Sequence, residues 1–279
     1  MIAGSAGIDA LRVQPRRHPG RIVGGMAILL VVLALLRSVV ANPNFQWPVV
    51  GQYLFAGIIL HGLATTLLLT ACTMAIGIAG GTALALMRLA DNPIAGAFAS
   101  AYIWLFRGTP LLVQLLFWYN LAALYPVYRF GIPVLAPNLL HGSVNDLITP
   151  YSAAILGLGL NEAAYMAEIV RAGIGAIDHG QTEAAMAIGM HRSQIMRRII
   201  LPQALRQIVP PTGNQVIGTL KTTCLVSVIS LSDLLYSAQT IYSRTFQTVP
   251  LLIVACFWYL LATTMLSFGQ SILERKLRC

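Results

Sequence analysis

Apolar positions along the chain gather into long blocks, and polar positions are confined to the intervals between them. The blocks cover residues 22–40, 58–87, 97–124, 151–170, 208–231 and 249–268. Each is close to or above the roughly 20 residues that a helix needs to cross a bilayer, so the pattern predicts six transmembrane helices. The fold class expected is all-α, a polytopic membrane helical bundle. Block 58–87 exceeds one perpendicular crossing and must tilt or extend beyond the bilayer. Arg88 ends it, and Asp91-Asn92-Pro93 then reads as a capped helix start with proline in the first turn. Arg107 and Pro110 interrupt the third block, which places its first part at the membrane interface. Residues 125–149, with Pro126, Gly131, Pro133 and Pro137, read as a turn-rich loop outside the membrane.

Composition sharpens this picture. Of the 279 residues, 57% are hydrophobic and 10% charged, against about 25% charged in soluble domains, which excludes a soluble enzyme. The net charge of +9 reflects few acids, not a basic patch interleaved with aromatics, so no nucleic-acid partner is expected. Arg12, Arg16, Arg17 and Arg21 ahead of the first block resemble the start of a signal peptide. However, the block runs to 19 residues without a convincing cleavage signal, so an uncleaved first helix is favoured. Counting bases by loop sets the orientation. With the amino terminus inside, the inner side holds those four together with Arg88, Arg171, Arg192, Arg197, Arg198, Arg206, Arg275, Lys276 and Arg278, while the outer side holds only Arg129 and Arg244. Both termini are therefore expected in the cytoplasm of a cell bounded by this membrane.

Several chemistries are missing. A phosphate-binding loop needs glycine directly before lysine, but Lys221 follows Leu220 and Lys276 follows Arg275. The five histidines form no metal-protease pairing, no G-x-S-x-G elbow exists, and Cys72, Cys224, Cys256 and Cys279 have no paired spacing. No catalytic residue, metal site or disulfide is read, and the chain itself is not expected to be an enzyme.

The most polar interior segment, residues 171–206, carries a patterned stretch: Glu183-Ala184-Ala185, then Gly189, then Ile199-x-Leu201-Pro202. From the residues alone, Thr182 can cap a short helix with Glu183 in its first turn, the alanines permit close approach of another surface, and Gly189 ends the helix. Ser193 can start a second helix whose Ile195, Ile199, Ile200 and Leu201 turn an apolar face to the membrane domain. The spacing resembles the EAA signature of permease subunits of bacterial ATP-binding-cassette importers. AAYMAEIVRAGI, GQTEAA, LPQALRQIVPP and YIWLFRGTPLLVQLLFWY resemble the polar amino acid branch, the histidine, glutamine, arginine and opine permeases. The resemblance covers about residues 56–273. It implies a five-helix permease core in 51–279, to which residues 1–50 add a tail and a first helix. It also implies an ATPase-coupling role for Glu183, Ala184, Ala185, Gly189, Leu201 and Pro202. The competing reading of this segment is an amphipathic helix on lipid headgroups, drawn there by Arg192, Arg197 and Arg198.

Ionisable groups at membrane depth are costly and mark candidate pathways. Asn161, Glu162 and Tyr165 lie in the fourth block, Glu162 and Tyr165 on one helical face, and are the substrate-pathway candidates. For Glu162, contact with an amino acid and plain helix packing both stay open. Glu168 is read as an ion pair with Arg171, three residues on. Arg107-Gly108-Thr109-Pro110 is a second family hallmark, either a gate or a helix-start anchor. Lys221 can snorkel or cap a carbonyl, and Gly77 and Gly81 form a G-x-x-x-G.

The resemblance implies a dimer with a second permease subunit, two ATPase subunits that bind ATP and Mg, an extracytoplasmic amino-acid-binding protein, and residence in the bacterial inner membrane. No cofactor is expected in this chain. The alternative is an ion-coupled secondary transporter in which Glu162, Glu168 or Asp233 titrates.

Overall fold

The computed structural model of the protein describes residues 19–132 and 136–278, so the tail with Arg12, Arg16 and Arg17 and the terminal Cys279 lie outside the described residues. The chain divides into two compact units, Met1–Trp47 and Pro48–Cys279. In the first, α1 (Pro19–Ala41) is apolar all round, as a lipid-embedded helix is. It ends in a single 3-10 turn capped by Asn42, whose Oδ1 accepts from Asn44 N at 3.0 Å. Trp47 stacks on Phe45 at 5.7 Å and donates its Nε1 to Val39 O at 3.3 Å.

The second unit begins with α2 (Trp47–Leu54), followed by α3 (Gly57–Leu89), α4 (Pro93–Gly108), α5 (Leu111–Tyr119) and the short α6 (Leu121–Leu124). A hairpin of β1 (Val127–Ile132) and β2 (Ala136–Ser143) comes next, then α7 (Val144–Leu147), α8 (Pro150–Gly175), α9 (His179–Ala187) and α10 (Arg192–Ile195). The chain closes with α11 (Leu201–Thr222), α12 (Leu234–Thr245) and α13 (Thr248–Arg278). At 33 residues α3 is about 50 Å long, well beyond a hydrocarbon core of about 30 Å.

The architecture rests on α3 and α8. Their contacts advance together, Gly77 against Glu162 and Gly81 against Met166, so the two helices run parallel. A Cβ on Gly81 would sit 2.5 Å from Met166 Cβ and 2.8 Å from Ala167 N. The G-x-x-x-G thus serves close helix approach, which in lipid replaces hydrophobic burial as the source of packing. Leu84 and Ala167 close against Ala99 and Ile103 of α4. Met74, Met166 and Val170 pack on Ala204 and Ile208 of α11. Ile59 joins Leu234 and Ala238 of α12 and Leu251 and Val254 of α13.

An α-helix fills four of the six predicted blocks and the first part of a fifth, 208–231, which turns 3-10 from Thr223 to Ile229. Among the described residues, four helices are long and apolar enough to cross a membrane, and a fifth crossing forms if the segment from Arg192 to Ile229 and α12, bent by 45°, count as one. The third block is the exception. Pro110 withholds the N–H that would continue the helix, so α4 and α5 form separately, and α4 buries only Ala99 and Ile103. Residues 125–149 also differ from the expected loop. They form an antiparallel hairpin pairing Val127 with Ser143 and Phe130 with Leu140, with a register shift between Phe130 and Ile132. Asn92 caps α4 as expected, accepting from Ile94 N at 2.9 Å.

Candidate functional sites

The first site is the protrusion after α8. Asp178 begins α9, its Oδ1 accepting from Gly180 N at 2.7 Å, so Thr182 lies inside the helix and not at its cap. The carboxylate of Asp178 competes better for the orphan N–H groups, and Thr182 is left to continue the turn. Gly189 holds φ at +79°, where a Cβ would be strained. Around it, Gly189 N donates to Met186 O at 2.9 Å and Met190 N to Ala185 O at 3.1 Å, the paired bonds of a Schellman motif. The second helix starts at Arg192, one residue before the expected Ser193, with Gln194 Oε1 accepting from His191 N at 3.1 Å.

A single π-turn, Met196–Ile200, joins α10 to α11. Pro202 sits in the first turn of α11 and its ring cannot tolerate the regular carbonyl geometry behind it. The wider turn, with Leu201 N bonding Met196 O, relieves that conflict. The Leu-Pro half of the signature therefore shapes the base of the protrusion. Leu201, on the apolar face expected for it, lines a groove with Leu205, Ile208 and Met265.

Inside the protrusion, Ala185, Ile195 and Ile200 are buried against Ile174 and Ile177, so the isoleucine face does turn toward the membrane unit. Ala185, expected on the docking face, is 2% exposed and packs inward. The outward face consists of Glu183, Ala184, Met186, Ala187, Ile188 and Gly189. Ile188 is 77% exposed, an apolar tip that water solvates poorly.

The second site is a cavity of about 450 Å³ at the α4–α5 break, bounded by α8 and α11. Asn161, Glu162 and Tyr165 all line it, together with Arg107, Thr73 and Thr219. Phe106 O has lost its helical partner to Pro110. Gln114 Nε2 and Asn161 Nδ2 supply the missing hydrogen bonds at 2.8 and 2.9 Å, and Asn161 Nδ2 also reaches Gln114 Oε1 at 3.2 Å. The amide of Asn161 thus braces the break. Gln114 was not singled out from the sequence, although a lone glutamine within LLVQLLFWY carried the signal.

Glu162 is 5% exposed. Its Oε2 accepts from Gln215 Nε2 and Thr219 Oγ1, both at 3.1 Å, while Oε1 has no partner. Thr73 Oγ1, in the same lining, is also unpartnered. A buried oxygen without a donor costs about 1–3 kcal/mol, more for a charged group, and a cationic ligand would remove that cost. Tyr165 carries the Arg107 guanidinium over its ring at 5.2 Å, a contact worth about 0.5–1 kcal/mol where exposed.

Below Tyr165 on α8, Glu168 pairs with Arg171 at 2.8 Å as expected, and also with Arg88 of α3, which the sequence reading did not include. Lys221 is exposed near the end of α11. Among the described residues, no group of three His, Cys, Asp or Glu side chains could hold a metal ion.

The family model for a binding-protein-dependent transport system inner membrane component matches residues 77–278. The chain belongs to this family. This inner membrane component is 43% identical over 274 residues to the arginine transport system permease protein ArgU of Corynebacterium glutamicum, covering 98% of the chain and 85% of that protein. It is 36% identical over 216 residues to the L-cystine transport system permease protein TcyL of Bacillus subtilis, covering 77% of the chain and 85% of that protein. A solved amino acid ABC transporter with histidines superposes with a TM-score of 0.67 at 37% identity, covering 78% of this chain and 94% of that one. The MetNI methionine ABC transporter shares the fold alone, with a TM-score of 0.64 at 17% identity. As a transport component of a family whose members depend on a binding protein, the chain is not an ion-coupled secondary transporter.

Proposed function

We propose that this chain is the permease subunit of an ATP-binding-cassette importer for polar amino acids, working by alternating access as a dimer with a second, identical or similar permease subunit. One observation carries the proposal. A single helix, α8, presents Glu162 to the cavity and is joined to α9 of the protrusion by a turn of only three residues, Ala176, Ile177 and Asp178, so a force applied at the protrusion passes to the polar lining through a short connection.

In this reading Glu162 Oε1 receives the ammonium or cationic side chain of the amino acid, and Asn161 holds the broken helix that forms the opposite wall. Glu183, Ala184 and Ile188 contact one of two cytoplasmic ATPase subunits, which bind the ATP and Mg. Ala185, Gly189, Leu201 and Pro202 give the protrusion its shape. An extracytoplasmic binding protein delivers the amino acid. Both termini and the protrusion face the cytoplasm of a bacterial inner membrane, supported by the arginines of the α8–α11 connection.

The test is uptake of radiolabelled L-arginine, L-histidine and L-glutamine into membrane vesicles holding the whole complex and its binding protein. Uptake that requires ATP and survives a protonophore is expected. Uptake driven by an ion gradient without ATP would contradict the proposal.

A further inference from the structure

A second, more open cleft, of about 490 Å³, lies next to the first along α8. It is lined by Glu168, Ala172, Gln207 and Gln215, and it shares two lining residues with the first cavity, Arg107 and Tyr165. The face of α8 that carries Asn161 and Glu162 to the first cavity carries Glu168, Ala172 and Ala176 to the second, with Tyr165 between. Gln215 reinforces this wall, since it lines the second cavity while its Nε2 bonds Glu162 of the first.

The two shared residues touch each other. Arg107 places its guanidinium on the Tyr165 ring, and no carboxylate lies within 4.0 Å of it among the described residues. Its five N–H donors are therefore unspent on any acid, and a guanidinium held by a ring alone yields to a carboxylate, which offers charge and two parallel hydrogen bonds. The charges on either side are arranged to use this. Glu162 lines the first cavity, and its buried Oε1, without a donor, favours a cation there. In the second, the charged lining is Arg107 and Glu168, and Glu168 is already neutralised by Arg88 and Arg171 behind it, which leaves Arg107 as the uncompensated charge facing an anion.

We propose that Arg107 and Tyr165 form a partition between two consecutive substrate sites, a loading site at Glu162 and a release site beside Glu168. The α-carboxylate of the passing amino acid opens this partition by drawing Arg107 off the Tyr165 ring. This rests on the permease reading above and adds the position of the barrier and the group on the substrate that moves it. The carboxylate leads toward the release site, while the ammonium or cationic side chain remains on Glu162 until the partition opens. Arg107 and Tyr165 are here positioning residues of the pathway.

The test uses the full complex, co-expressed with its ATPase subunits, in inside-out vesicles that expose the protrusion. Native cysteines are replaced by serine, and Thr222, which also lines the first cavity, is changed to cysteine (Thr222→Cys) to report from it through reaction with a membrane-impermeant maleimide. With Arg107 and Tyr165 intact, labelling is expected to be slow and to accelerate with saturating L-arginine. Tyr165→Leu should label at least tenfold faster without L-arginine, whereas Tyr165→Phe, which keeps the ring face, should label slowly. Arg107→Gln should behave as Tyr165→Leu does, and decides the matter if the leucine variant fails to assemble. Fast labelling with both residues intact, slow labelling in every variant, or a phenylalanine variant as open as the leucine one would each overturn the partition. If the unaltered complex moves none of the amino acids tested, the permease reading falls and the partition with it. Normal uptake with a tight Leu variant overturns the partition alone.

Discussion

At the scale of single residues, Glu162 shows features of both readings left open by its sequence position. It packs closely, since a Cβ on Gly77 would lie 2.5 Å from Glu162 Cγ, yet it also leaves Oε1 without a partner at a cavity wall. Glu162→Gln keeps the shape and the packing but removes the charge. A role limited to packing leaves L-arginine uptake unchanged, whereas a role in substrate contact raises the half-saturating concentration at least tenfold, about 1.4 kcal/mol, while the complex purifies intact. Uptake kinetics in vesicles, with the assembled complex quantified in parallel, check this. The charged members of the cavity were legible in the sequence because an ionisable side chain amid apolar ones stands out. Thr73 and Thr219 were not, because threonines in membrane helices ordinarily bond their own backbone, as Thr70 does to Thr66 O at 2.8 Å, and so carry no distinguishing pattern. The second partner of Glu168 was equally hidden, since Arg88 is 80 residues away in sequence.

At the scale of elements, glycine and proline positions account for both what could be read and what could not. Gly189 announced the end of α9 because only a residue without a Cβ takes φ +79° freely. Gly189→Val is expected to unmake the Schellman motif at a cost of about 1–2 kcal/mol and to lower substrate-stimulated ATPase activity of the complex several-fold. Basal ATPase activity of the partner subunits should be retained. Measuring both rates on purified complex checks it, and full stimulation in the valine variant would remove the motif from coupling. Pro110, by contrast, was seen but its consequence was not. Whether a proline kinks a continuous span or separates two helices depends on who satisfies the freed carbonyl, and Gln114 and Asn161 do so across the break. The hairpin at 127–143 was missed because its proline and glycine content matches that of an irregular loop. The start of α9 was misplaced at Thr182 because two residues able to cap stand four apart, and Asp178 wins.

At the scale of the whole molecule, the second unit links the cavity at Glu162 to an exposed knob through α8, a helix of 26 residues and about 39 Å. The apolar blocks and the shortage of charge make the membrane bundle legible in the sequence. The pairing of α3 with α8 was only hinted at by Gly77 and Gly81, because a G-x-x-x-G names one face and not its partner. The motor is the part of the account that this chain does not contain, so contact between the knob and a separate ATPase is its central claim. The direct measurement is cross-linking in the assembled complex, with Ala184→Cys or Ile188→Cys paired to a cysteine introduced on the ATPase surface. The account predicts a cross-linked permease–ATPase product from the protrusion, and loss of ATP-driven amino acid uptake once the bridge is closed. Efficient ATP-driven uptake from a complex in which neither position reaches the ATPase, or labelling of these positions from the extracytoplasmic side, would contradict it.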